Sequence, residues 1–524
     1  MSGAVAGQGW RPSHNPWLIA VVVTIAAFME VLDTTIVNVS LPHIAGSLSS
    51  SYDDATWSLT SYLVANGIVL TISGWLSDVI GRKRYFMICI AMFTVCSFLC
   101  GISRSLPELI VFRLLQGFFG GGLQPTQQSI ILDTFEPAQR GSAFSVVAIA
   151  TVLAPVIGPT LGGYITDTYS WRWVFFINLP VGLLALFAVG ALVEDPPWVR
   201  ARRGRGIDFI GLGLITLGLG CLQVAIDRGE DADWFGSPFI RVMALFAVLG
   251  IFGAIGWLLT ARRPVVNLRV MRDRNFAVGS LCIAGLGFCL YSCAVVIPQF
   301  AQQQLGYDAT LAGLILSPGG VVIIILIPFV RRLLPVVQTR FIICFGFLLI
   351  GGSLVLSSDL VPQTSFGWLA FLRGAQTAGL AFLFVPISTI AFATLPRELN
   401  GDAAALFTMF RNVFGSIGIS VAVALITERT QIRMAHLAPD MTPLNQGYQT
   451  VFQQVRQAMI GLGHPAATVD QMATGWLYQE YIRQASLLAY TDVFLIVAVG
   501  AFAVVPFTLL FSATKGGGAA GPGH

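Results

Sequence analysis

Charge is scarce in this chain. Only 11% of its 524 residues are charged, while 55% are hydrophobic, and the mean hydropathy is +0.76. A soluble domain carries roughly 25% charged residues, so composition excludes a soluble globular protein and predicts a polytopic protein of the lipid bilayer. Histidine is scarce too, at five residues. There is no His-rich cluster, no Cys/His metal spacing, no Ser/His/Asp set and no Gly-x-Gly-x-x-Gly outside a hydrophobic window. These absences argue against an enzyme and predict neither metal nor cofactor. The eight cysteines (Cys89, Cys96, Cys100, Cys221, Cys282, Cys289, Cys293, Cys344) all fall in apolar segments, where they read as small packing residues. The net charge of +4 is scattered over short loops, which does not suggest nucleic acid. No small-residue cleavage site follows the first hydrophobic run, so it reads as a retained helix.

What the chain has is hydrophobic windows of about 20 residues, long enough to cross a bilayer. Fourteen can be laid out, at 17–39, 55–76, 85–102, 109–131, 142–164, 173–193, 207–226, 239–260, 275–297, 310–330, 341–357, 366–392, 404–427 and 488–511. The expected fold is therefore all-α with 14 transmembrane helices. Arginine and lysine gather in alternate loops: Arg82, Lys83 and Arg84; Arg140; Arg200, Arg202, Arg203 and Arg205; Arg262, Arg263, Arg269, Arg272 and Arg274; Arg331, Arg332 and Arg340; Arg397. The bias of cationic loops toward the cytoplasm places those loops, and both termini, inside. Short patterns recur in order. Asp54-Ala55-Thr56 is echoed by Asp308-Ala309-Thr310, and Arg113-x-x-Gln116 by Arg373-x-x-Gln376. They suggest two related six-helix halves, 1–193 and 275–512, with a two-helix insert and its linkers at 194–274. Duplicated halves around a midplane site are a common transporter plan. A polar external stretch, 428–487, carries apolar residues at helical spacing (Tyr448, Val451, Phe452, Val455, Met459). It then has a Thr468/Gln471 capping-box pattern before Val469, Met472, Ala473 and Trp476. Two short amphipathic helices are expected there, either capping the protein or docking a partner. The tail 513–524 reads as disordered.

Two carboxylates, Glu30 and Asp33, stand inside the first window. An ionisable group at bilayer depth costs at least ~2.5 kcal/mol, so it is a functional candidate by default, and a three-residue spacing puts both on one helix face. The bland alternative is an inert pair satisfied by a neighbouring helix. Arg113 lies within an apolar window and needs an anion, for which Asp33 or Glu30 is the natural partner. Arg373 and Arg411 are further intramembrane cations without an evident partner. Asn38, Gln124, Asn178, Gln299, Gln376 and Phe384 are candidates for a cavity wall. In the fifth window Gly158, Gly162 and Gly163 form a small-residue face, while Pro155 and Pro159 interrupt the hydrogen-bond ladder. This suits either a kinked, moving seam or plain close packing. The run Gly120-Gly121-Gly122 reads as helix packing.

Four patterns carry a family resemblance: Leu32-Asp33-Thr34-Thr35-Ile36-Val37-Asn38-Val39-Ser40-Leu41-Pro42; Gly74-x-x-x-Asp78-x-x-Gly81-Arg82-Lys83-Arg84; Arg113-Leu114-Leu115-Gln116-Gly117; and Ala154-Pro155-x-x-Gly158-Pro159-x-x-Gly162-Gly163, followed by Trp171-Arg172-Trp173 and Ile177-Asn178-Leu179-Pro180. Together they resemble the major facilitator superfamily, and within it the fourteen-helix drug:proton antiporters of the EmrB/QacA type, most like the EmrB branch. The resemblance covers nearly the whole chain. It implies a multidrug efflux antiporter working by alternating access in a bacterial inner membrane. Proton coupling would rest on Asp33 with Glu30 and Arg113, and the proton gradient would take the place of a cofactor. Gly74, Asp78, Gly81 and Arg82 would latch one conformation against the thirteenth span, and Pro155, Gly158, Pro159, Gly162 and Gly163 would mark an exporter. An adaptor of the EmrA type and an outer-membrane channel of the TolC type are implied as partners. The matching loop at 328–332 lacks the Gly-x-x-x-Asp pattern, so no second latch is expected. A proton-coupled metabolite symporter or a single-substrate exporter is the alternative function.

Overall fold

Helix is the only solution for backbone in a bilayer short of a closed barrel, since each N–H and C=O must be satisfied within its own segment, and helix is what the sequence forms. The computed structural model describes residues 12–200, 208–262, 264–307 and 309–512. The tail and the expected basic positions Arg202, Arg203, Arg205 and Arg263, together with Asp308 of the repeat, lie outside them. In order the helices are α1 (Pro16–Ser47), α2 (Tyr52–Ile80), α3 (Arg82–Ile102), α4 (Leu106–Gly120), α5 (Leu123–Thr134), α6 (Pro137–Thr168), α7 (Trp173–Phe176), α8 (Asn178–Leu192) and α9 (Pro197–Arg200). Then follow α10 (Phe209–Arg228), α11 (Pro238–Thr260), α12 (Arg274–Leu305), α13 (Ala309–Leu333), α14 (Thr339–Ser357), α15 (Phe366–Ala391), α16 (Asn400–Leu437), α17 (Gln446–Gly461) and α18 (Ala466–Thr508).

Starts and stops follow local chemistry. Asn15 accepts a hydrogen bond from the Trp17 amide at 2.9 Å, with Pro16 as the first helical residue, an arrangement that suits a helix start. Asp273 caps α12 in the same way, through the Phe276 amide at 2.9 Å. Between α2 and α3 the chain turns on Gly81 alone, at φ 99°, a conformation that side chains disfavour. Among the described residues thirteen helices are long and apolar enough to cross a membrane. The remaining window, 109–131, is built from α4 and α5 set end to end. Gly120, Gly121 and Gly122, expected only to pack, are also where this helix breaks.

Cationic loops collect at one end of the bundle, called here the basic end. Lys83 donates its backbone N–H to Asp195 at 2.8 Å and its Nζ to the Gly190 carbonyl at 2.6 Å, and Thr394 donates to Asp273 at 2.7 Å. At the opposite end α16 and α18, of 38 and 43 residues, are about 57 and 65 Å long at 1.5 Å per residue. That exceeds a hydrocarbon core of about 30 Å, so both project from the bundle. Here the structure corrects the expected loop. Its second amphipathic helix is not separate but the first half of α18, which begins at Ala466 after Pro465. Thr468 is no cap either, because it lies inside the first turn and donates to the Pro465 carbonyl at 3.1 Å. Only α17 stands alone, packed on α18.

Candidate functional site

Asp33 and Glu30 lie midway along α1, both buried, and each has its own set of partners. Arg113 on α4 reaches Asp33 with Nη1 at 2.6 Å, and neither side chain is exposed to solvent. Gln116, one turn further along α4, donates Nε2 to the other Asp33 oxygen at 3.0 Å and accepts from Arg113 Nη1 at 2.8 Å. Asn178, at the start of α8, donates to the same Asp33 oxygen at 2.7 Å and to Ser97 Oγ at 2.9 Å. The guanidinium also lies 4.2 Å from the centre of the Tyr62 ring. Asp33 is therefore the anion that Arg113 requires, and three donors from two helices fix it in place.

Among the described residues Glu30 has no ion-pair partner. It accepts from Tyr62 Oη at 3.2 Å and Asn66 Nδ2 at 3.0 Å, both on α2, and from Gln124 Nε2 on α5. The Gln124 carbonyl oxygen in turn accepts from Arg411 Nη2 on α16. A carboxylate on α1 is thus linked through one amide on α5 to an arginine on α16. Arg411, for which no partner was evident in the sequence, is buried and sits 5.9 Å over the Phe384 ring. Beside this link is a small cavity of about 10 Å³ lined by Thr24, Phe28, Gln124, Gln127, Gln128 and Arg411. Gln127 holds Thr24 across it at 2.9 Å. Amide and guanidinium groups next to Phe28 give it a wall that is partly polar and partly apolar.

At the basic end α2 and α16 close on each other. A Cβ on Gly74 would lie 2.7 Å from the Gly401 carbonyl oxygen, so backbone meets backbone there. One on Gly401 would lie 3.6 Å from Asp78 Oδ1, which puts the Asp78 carboxylate at the first turn of α16, where the helix dipole is positive. Arg82, fully buried, pairs with Asp133 on α5 and donates to the Ser129 carbonyl at 3.3 Å. Asn400 donates to the same Asp133 at 3.0 Å. Arg140 on α6 bridges to the Phe392 carbonyl at 3.1 Å, beneath the Phe144–Phe392 ring stack. The basic end is shut, while at the other end Asn38, Pro42 and His43 of α1 are exposed.

The remaining candidates divide. Of the six cavity candidates, Gln124 lines the wall, Phe384 lies beneath Arg411 and Asn38 is exposed. Gln299 is half-buried. Asn178 lies against Asp33 and Gln376 against Ser357 at 3.4 Å, neither on the wall of that cavity. α6 runs unbroken through Pro155 and Pro159. Its glycine face packs on α1: a Cβ on Gly158 would strike Thr35, and one on Gly162 would come within 3.1 Å of Ile36. The contact of α6 with α13 uses other residues, Gly313 opposite Thr160 and Gly320 opposite Leu153. Tyr62, Asn66, Asp133 and Asn400 were not singled out from the sequence. For Tyr62 and Asn66 the only signal is a polar residue in an apolar window, which many serines and threonines share, while Asp133 and Asn400 fall just outside the windows.

The sequence signature of the Major Facilitator Superfamily matches residues 23–419. The chain is 35% identical over 520 residues to "Multidrug export protein EmrB" of Escherichia coli (strain K12), covering 98% of this chain and 99% of that one. It is 31% identical over 487 residues to "Fatty acid resistance protein FarB" of Neisseria gonorrhoeae, covering 93% and 94%. Among solved structures, an auto-inhibited POT family peptide transporter superposes with a TM-score of 0.58 at 14% identity, covering 94% of this chain and 96% of that one. The human organic anion transporter MFSD10 gives 0.56 at 13% identity, covering 93% and 100%. At such identities the two structures speak to the fold alone.

Proposed function

Because the chain belongs to the major facilitator superfamily, a family of membrane transporters and not of enzymes, we propose that it is a proton-driven multidrug exporter of the inner bacterial membrane. One observation carries this reading. Two buried carboxylates on α1 are held differently, Asp33 by an ion pair and Glu30 by neutral donors that lead across the cavity to Arg411. A proton on Asp33 weakens its hold on Arg113, and one on Glu30 weakens the Gln124–Arg411 link between segments 1–193 and 275–512. Those segments would rock as two halves, with 194–274 as an insert. The basic end is taken as cytoplasmic, with both termini there. Gly74, Asp78, Gly81 and Arg82 would latch that end where α2 meets α16, and release of the latch would alternate access between the two sides. A proton entering through about 100 mV supplies ~2.3 kcal/mol from the potential alone, enough to bias a bistable element.

Likeness to a protein named for multidrug export supports amphipathic drug-like substrates. The projecting α16–α17–α18 unit is the natural dock for a periplasmic adaptor of the EmrA type, which would connect to an outer-membrane channel of the TolC type. Asn38, Gln299 and Phe384 would line the substrate path with Gln124, whereas Asn178 and Gln376 would support it from behind. The test is a susceptibility panel of hydrophobic compounds in a deletion strain with and without this gene, combined with uptake into energised inverted vesicles. Accumulation of the protecting compounds, abolished by an uncoupler, is the expected result. Proton-driven movement out of such vesicles would instead establish a symporter.

A further inference from the structure

Arg373 on α15 is the echo of Arg113, yet among the described residues no carboxylate pairs with it. It is 1% exposed, its Nε has no hydrogen-bond partner, and among the described residues its one hydrogen bond runs from Nη1 to Gln376 Oε1 at 3.4 Å. The titratable group within electrostatic reach is the Cys293 thiol on α12, uncharged near neutral pH, where free thiols titrate at about 8.5. An arginine cannot shed its proton in a protein, and a buried charge without a counter-charge costs several kcal/mol or more. Beside it lies a small cavity of about 10 Å³, lined by Arg373, Gln376 and Ser357 against apolar Phe300, Leu372 and Phe494, with room for about one water-sized group. The first half holds the complete arrangement: an Arg-x-x-Gln pair, one turn apart, clamping a carboxylate by Arg113 Nη1 at 2.6 Å and Gln116 Nε2 at 3.0 Å. The second half repeats the clamp and puts a cavity where the carboxylate would be.

We propose that the Arg373–Gln376–Ser357 cavity is an anion site that takes a monovalent anion, a halide or the carboxylate of an amphiphile, in the place Asp33 occupies in the other half. The guanidinium supplies charge, the Gln376 amide and the Ser357 hydroxyl supply hydrogen bonds, and the apolar wall excludes water. Site and occupant together neutralise a buried charge that the chain itself leaves without a counter-charge among the described residues. This assignment is independent of drug export.

The purified full chain in nanodiscs is titrated with sodium bromide and, separately, with sodium octanoate, against sulfate at matched ionic strength, while its melting temperature is followed. The wild type should show a saturable rise of roughly 2 °C or more, as expected for a ligand of the native state. Arg373→Gln should lose it because the charge is gone. Cys293→Asp should lose it because the chain then carries its own anion. Saturation by bromide alone identifies an inorganic source, and tighter saturation by octanoate an amphiphile; either supports the site. A crystal of the wild type grown in bromide adds a measurement that needs no variant, with an anomalous peak expected beside Arg373. Equal responses of wild type and both variants to both anions, with no peak there, would overturn the proposal.

Discussion

Asp33 is the side chain whose loss the rest of the site can least absorb. Asp33→Asn leaves Arg113 buried without its counter-charge, and breaking a buried pair by removing one partner costs about 3–5 kcal/mol. The variant should melt lower than the wild type, and Asp33→Asn with Arg113→Gln should recover part of the loss, on the order of 0.5–3 kcal/mol. Differential scanning measurements on all four proteins check this. Additive losses would mean that the pair does not act as a unit. Glu30→Gln keeps an acceptor for Tyr62 and Asn66 but cannot titrate. The pH profile of transport should shift in that variant with little change in melting temperature, and a profile superimposable on the wild type would remove Glu30 from the coupling. Sequence reasoning reached Asp33–Arg113 because a charge in an apolar span demands a partner and few are on offer. It could not choose between Asp33 and Glu30 as that partner, since both lie on one face of α1 and only the helix arrangement brings Asp33 to α4. Arg411 was harder still: its partner is an amide, and amides carry no charge to match.

Among the elements, α2 and α16 make the sharpest prediction. Gly74 faces the Gly401 backbone with no room for a side chain (2.7 Å to the carbonyl oxygen from an added Cβ), and backbone cannot swing aside as a side chain can. Gly74→Val should keep the basic end from closing and shift the population toward the opposite state. Asn38→Cys, exposed in the described conformation, should then react several-fold more slowly with an impermeant maleimide, and an unchanged rate would show that this contact is not a latch. α17 gives a second test. Replacing 442–464 with a Gly/Ser linker leaves α18 and its Arg433–Asp492 pair (2.7 Å) in place. Resistance in cells should vanish while transport in proteoliposomes survives, as an adaptor dock requires; loss of both would make α17 part of the transporter itself. Helix positions were legible from hydropathy because lipid imposes length and backbone satisfaction together. The break between α4 and α5 and the fusion of the external helix to α18 were not. The first depends on how closely Gly121 and Gly122 approach α2 and α3, and the second on a polar helix simply continuing out of an apolar one, with no stop signal needed.

For the molecule as a whole, alternating cationic loops predict that Ala138→Cys and Gln453→Cys, on a cysteine-free background, face opposite sides of the membrane. Labelling of both from outside intact spheroplasts would undo the layout. The central claim, that proton movement through the α1 carboxylates drives export, is tested most directly in proteoliposomes of the purified chain loaded with a transported compound and a pH-sensitive dye. Release of compound down its gradient should drive protons the opposite way, and Asp33→Asn should still exchange compound for compound while moving no protons. Compound movement without proton counter-movement in the wild type, or wild-type proton movement in Asp33→Asn, would contradict the account.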